Sequence, residues 1–119
     1  MSVPGLETEW YLRDYLFRQG KLGRRIYSPE DIASEMSRTY LRYKGFSPES
    51  LFALQLPAFD SLARLGVVEK SDQNSYMLAS ELVRLRCSKC FYVSYISTAE
   101  PRKCLRCAHA ELYDFPKMK

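Results

Sequence analysis

Histidine and tryptophan each occur once in 119 residues, glycine only five times, and no apolar run approaches the roughly 18 residues of a membrane-spanning helix. That last lack removes the expectation of a helical membrane protein. The opening Met1-Ser2-Val3-Pro4-Gly5 has no basic stretch followed by an apolar one, so no secretory signal is expected and the chain reads as intracellular and cytoplasmic. Any Ser-His-Asp set would need the single His109, and no carboxylate pair stands out from an ordinary solvated face. No catalytic residue is expected, and the chain does not read as an enzyme. What is present excludes wholesale disorder: 46% of the residues are apolar, and the length suits one domain or a small domain plus a mini-domain.

Charge and cysteine are unevenly placed. Residues 1–82 hold ten basic and eleven acidic side chains, a net of −1, whereas residues 83–119 hold eight and three, a net of +5. All four cysteines lie in the second segment. The composition changes near 80–83, and a boundary is read there: 1–80, 83–115 and a tail of 116–119.

In the first segment, Trp10, Tyr11, Tyr15 and Leu16 fall at near-helical spacing with Arg13, Asp14 and Arg18 on the other side. Thr8 offers a cap, and Gly20 with Gly23 an end. Ser28-Pro29-Glu30-Asp31 is a stronger start signal: a capping hydroxyl, Pro at the first helical position, and carboxylates facing the positive helix end. Ile32, Met36, Tyr40 and Tyr43 follow at helical spacing. Ser47-Pro48-Glu49 repeats the signal for a third helix rich in Leu and Phe, which Pro57 is expected to kink or split. After Gly66, Val67–Lys70 and Ser75–Leu78 flank the turn-rich Ser71–Asn74 and read as a hairpin.

Three helices and a hairpin, with Phe59-Asp60-Ser61-Leu62-Ala63-Arg64-Leu65-Gly66-Val67-Val68-Glu69-Lys70 at the junction, resemble a winged helix-turn-helix. The fold class expected is therefore α+β, a winged helix-turn-helix domain followed by a small C-terminal zinc ribbon.

The ribbon expectation rests on Cys87-Ser88-Lys89-Cys90 and, thirteen residues on, Cys104-Leu105-Arg106-Cys107. Two residues between cysteines let one tight turn aim both sulfurs at a common point, and two such turns complete a tetrahedron of thiolates. Leu82–Arg86, Phe91–Ser97 and Glu111–Phe115 suit flanking strands. Structural zinc is the cofactor expected, held by Cys87, Cys90, Cys104 and Cys107; a single iron in the same four-sulfur set is the chemical alternative. Two disulfides would want an oxidising compartment, and a redox CxxC would want a βαβ setting. A closed four-thiolate shell leaves no open position for a substrate. The glycine that usually follows each ribbon turn is replaced by Phe91 and Ala108.

Candidate nucleic-acid contacts fall into two groups. Lys21, Arg24, Arg25 and Tyr27, then Arg38, Tyr40, Arg42, Tyr43 and Lys44, mix guanidinium forks with aromatic faces, which suits phosphate contact and base stacking; a solvated helix face with half-buried tyrosines is the plainer reading. Arg84, Arg86, Lys89, Arg102, Lys103 and Arg106 surround the cysteine turns, although four thiolates and Zn²⁺ together carry −2 and offset part of that charge. The third helix argues against base reading, since it offers only Gln55, Ser50, Ser61 and its one cation Arg64; in the wing Lys70 is opposed by Glu69 and Asp72, though Gln73 and Asn74 could reach a groove. Its apolar surplus favours a protein-facing surface, and Trp10, Tyr11, Phe17 and Phe52 suggest a homodimer.

The pairing of winged helix and zinc ribbon resembles archaeal transcription regulators and the large subunit of archaeal transcription factor E. The resemblance lies in domain order and the two CxxC turns. It implies a function in transcription: DNA binding through the winged helix and the basic patches, or, as the alternative, a protein–protein adaptor in a transcription or related nucleic-acid-processing complex.

Overall fold

Three helices and two small antiparallel sheets make an α+β fold, in a computed structural model that describes residues 4–72 and 75–114. The order is α1 (Pro4–Lys21), β1 (Ile26–Tyr27), α2 (Pro29–Thr39), a 3-10 turn (Leu41–Tyr43), α3 (Pro48–Arg64), β2 (Val68–Asp72), β3 (Ser75–Leu78), β4 (Leu82–Cys87), β5 (Val93–Ser97) and β6 (Leu112–Asp114). The first sheet runs β1-β3-β2 and the second β5-β4-β6. The seven elements up to β3 are compatible with a winged-helix-like fold. The wing tip Gln73–Asn74, Phe115 and the tail lie outside the described residues.

Local chemistry explains the boundaries. Ser47 caps α3 by accepting from the Ser50 amide at 3.1 Å, with Pro48 at the first helical position and Glu49 in the first turn. Ser28 stands at the start of α2 in extended backbone, but its side chain makes no capping bond; Pro29, Glu30 and Asp31 mark the start instead. Gly66, at φ +82, carries the chain out of α3 in a conformation that other residues adopt at a cost.

Three expectations are corrected, and one short strand is new. Helix α1 begins at Pro4, so Thr8 is no cap; it lies inside the helix and is buried. Helix α3 is not split at Pro57 but runs as one helix from Pro48 to Arg64. Proline cannot donate to the Ala53 carbonyl, but both residues are exposed, so the freed oxygen need not be buried unpaired. β1 was not expected at all: its two residues pair Ile26 with Met77 and Tyr27 with Tyr76, too short a segment for alternation to register. Lastly, Arg13 and Asp14 do not face water; they are 1% and 4% exposed.

That last correction explains how the second sheet is held. One side of α1 contributes Leu12, Tyr15 and Leu16 to the core shared with Ile32, Met36, Leu51, Phe59, Leu62 and Leu78. Its other side receives β5. Trp10 Nε1 donates to the Val93 carbonyl at 2.7 Å, and Arg13 Nη1 donates to the Tyr95 carbonyl at 2.5 Å. Arg13 also forms a two-pronged pair with Glu100, at 2.9 and 2.8 Å, and Glu100 accepts from the Ser97 amide at 2.9 Å. Asp14 accepts from the hydroxyls of Tyr95 and Tyr40 and from Arg18. Desolvation and the bond to Asp14 push the Tyr95 phenol up to about 12, so it stays a donor at neutral pH. Phe17 packs on Tyr95 with ring centroids 5.2 Å apart, and Tyr11 packs on Tyr40 and Tyr43. Trp10, Tyr11 and Phe17 are thus satisfied within the chain, and Phe52 packs against the core. All four stay half-buried, so part of each ring still reaches the surface.

Candidate metal centre and basic surface

Two turns bring the cysteines together. The first follows β4 and the second follows a loop after β5, and they match bond for bond. Cys87 Sγ accepts from the amides of Lys89 and Cys90 at 3.3 and 3.4 Å; Cys104 Sγ accepts from those of Arg106 and Cys107, both at 3.4 Å. The Phe91 amide closes the first turn onto the Cys87 carbonyl at 3.0 Å, and the Ala108 amide closes the second onto Cys104 at 2.9 Å. Phe91 and Ala108 have φ of +64 and +66, the left-handed region a glycine would take without penalty. Loss of the usual glycines therefore leaves the turn geometry intact.

The four sulfurs lie within 4.8 Å of one another, with Cys87–Cys107 and Cys90–Cys104 separations of 3.6 Å. A disulfide needs about 2.05 Å, so no pair is bonded. A tetrahedron of sulfurs about 2.3 Å from a central zinc ion has edges of about 3.8 Å, so the cluster has the size to hold a metal ion. Donor chemistry agrees. Desolvation opposes ionisation of Cys87, yet the amides of Cys90 and Lys89 bring its thiol down to about 6. Cys104 is lowered by the equivalent amides against the same desolvation. Cys107 receives the His109 amide, but desolvation and its sulfur neighbours outweigh that bond and push it up to about 11. In each turn one cysteine thus has its thiolate favoured by backbone amides. His109 is not drawn into the set: its carbonyl accepts from the Cys104 amide at 2.8 Å, and its Nε2 lies 3.6 Å from Glu111.

The basic residues divide sharply. Arg24 is engaged internally, 3.6 Å from Glu35, 2.9 Å from the Tyr15 hydroxyl and 5.1 Å from the Tyr27 ring. Arg25 donates to the Leu78 carbonyl at 2.9 Å, and Arg42 forms a two-pronged pair with Glu7 at 2.9 and 3.0 Å. Arg38 is exposed and donates to Ser34 at 3.0 Å; Lys44 and Arg64 are exposed. Tyr43 and Tyr27 are buried, and Tyr40 is half-buried with its hydroxyl committed to Asp14, so none of these rings stands fully exposed for stacking. At the other end, Lys89, Arg102, Lys103 and Arg106 are all exposed around the cysteine turns and enter no ion pair among the described residues. Arg106 sits 5.9 Å from the Tyr92 ring. The outward side of α3 offers Ala53, Leu54, Leu56 and Pro57 between Glu49 and Asp60.

Comparison with protein-family models, curated proteins and solved structures finds no match for this chain. No helix among the described residues is long and apolar enough to cross a membrane.

Proposed function

We propose that the chain is a zinc-bearing module of transcription or related nucleic-acid machinery, a winged helix carrying a C-terminal zinc ribbon, without catalytic activity. Cys87, Cys90, Cys104 and Cys107 hold the ion, which is structural. DNA is met through its phosphates by the tip of the ribbon. The observation that carries this reading is the set of four exposed cations, Lys89, Arg102, Lys103 and Arg106, standing unpaired about the metal centre while most of the helical cations are committed within the fold. Their charge exceeds the −2 of a zinc–tetrathiolate unit, which leaves a net positive tip.

The test is DNA affinity against salt. Four phosphate contacts give a log–log slope of roughly −3.6, and Lys103→Glu/Arg106→Glu should roughly halve that slope or more. A flat dependence would remove the reading.

A second reading, the protein adaptor, is favoured by one observation: the outward side of α3 is apolar and edged with carboxylates, the wrong chemistry for a phosphate-lined groove. Retained DNA binding by Leu54→Glu/Leu56→Glu would fit an α3 that does not touch DNA. Absence of DNA binding even at low salt would leave the adaptor standing alone.

A further inference from the structure

An exposed aromatic surface lies on the second sheet. Phe91, at the tip of the first cysteine turn, is 59% exposed, and Tyr113 on β6 is 43% exposed. Arg86 lies between them. It is the direct cross-strand partner of Tyr113, so the two side chains share one face of the sheet. Its guanidinium is 5.6 Å from the Phe91 ring centroid, and its Nε donates to the Phe91 carbonyl at 3.2 Å. The arginine braces the turn and the ring together.

Phe91 is an unexpected residue here on two counts. Its φ of +64 favours glycine, and its ring lies in water, outside the core cluster. Neither cost is returned inside the fold. A bulky residue held in a disfavoured conformation, with its side chain spent on the surface, points to what that side chain meets. The Arg86 guanidinium packs on the ring, and the exposed Lys89 stands two residues earlier in the same turn. Glu111 turns toward His109, 3.6 Å away, and Asp114 alternates to the opposite face from Tyr113.

We propose that Phe91 and Tyr113, with the Arg86 guanidinium between them, form a platform on which unpaired bases of a single-stranded nucleic acid stack, Lys89 taking the adjoining phosphate. The proposal rests on the nucleic-acid reading above and deepens it from phosphate contact to strand state. Every base offers a π-face to an exposed ring, whereas bases inside a duplex are already stacked and cannot reach one. A protein partner would also cover a phenylalanine, but the cationic surround matches a polyanion.

The experiment compares fluorescein-labelled oligothymidylate, oligouridylate and a duplex, each about twelve nucleotides long, by anisotropy with the full chain as purified. Phe91→Gly removes the ring and relieves the backbone, so loss of binding cannot be attributed to misfolding if its melting temperature is not lowered. The expected result is about a tenfold loss of affinity for single strands, with less than a twofold change for the duplex. Tyr113→Leu should give a smaller loss of the same kind. Loss on both single strands assigns the platform to unpaired bases of either sugar; loss on one alone assigns it to that sugar. If Phe91→Gly binds single strands as well as the parent does, the platform is overturned, while a duplex affinity still sensitive to Lys103→Glu/Arg106→Glu would leave the phosphate reading in place. If the parent binds none of the three, both fall, and a protein-facing role for Phe91 is what remains.

Discussion

Phe91 and Ala108 occupy equivalent points of the two cysteine turns, and each stores backbone strain. Left-handed backbone costs an ordinary residue about 1–2 kcal/mol, partly offset because glycine has more freedom to lose on folding. Ala108 is exposed and its methyl group fills no core space. Ala108→Gly should therefore stabilise the protein by about 0.5–1 kcal/mol and raise the melting temperature of the metal-loaded form by a few degrees. A calorimetric melt decides it: an unchanged or lower midpoint would mean that the second turn is relaxed in the metal-bound state. At Phe91 the same relief comes with loss of the ring, so the two variants separate strain from surface function.

Single elements differ in how much of them is readable from sequence. The cysteine turns are legible because two intervening residues fix the geometry of a turn whatever surrounds it. Helices α2 and α3 are legible from Ser-Pro-Glu, since capping, the missing proline N–H and carboxylate charge act within one turn. Strand β1 is not, because two residues cannot display a period; only pairing with Met77 and Tyr76 defines it. Nor is the second buried side of α1 legible. Arg13 and Asp14 read as a wet face, and nothing local reveals that Tyr95 and Glu100, more than eighty residues on, will satisfy them.

This division predicts how metal removal spreads. A metal ion held by the four cysteines would fix their turns, whereas β5 is tied to α1 at the carbonyls of Val93 and Tyr95 whatever the site holds. Treatment with a strong chelator should abolish amide-exchange protection at Lys89, Cys90, Arg106 and Cys107, and leave Leu12, Leu16, Ile32 and Leu62 protected. Trp10, the only tryptophan, sits against Val93 and Tyr95 and reports on the junction. Its emission should hold its wavelength; a red shift would show that the loss passes through β5 into α1.

At the scale of the molecule, a buried ion pair ties α1, whose other side packs in the core with the first sheet, to the turn after β5 in the second. Arg13 is held by Glu100, Glu9 and the Tyr95 carbonyl, with only 1% of its side chain exposed, against 4% for that of Glu100. Desolvation works against the Glu100 carboxylate, but the bonds from Arg13 and the Ser97 amide prevail and hold it below the usual carboxylate range. A folded-state value below the unfolded one means that the stabilisation is fully present above the unfolded carboxyl's range and is lost as pH falls through the folded value. Glu100→Gln leaves the Arg13 charge buried with a weaker partner and should cost about 3 kcal/mol at neutral pH. Arg13→Met/Glu100→Gln should recover part of that, since the stranded charge is gone. The gap between parent and Glu100→Gln should narrow in acid, where the parent's carboxyl is itself protonated. Urea melts at neutral and acidic pH measure all three quantities, and a gap that stays constant across that range would mean that Glu100 contributes shape to the junction, not charge.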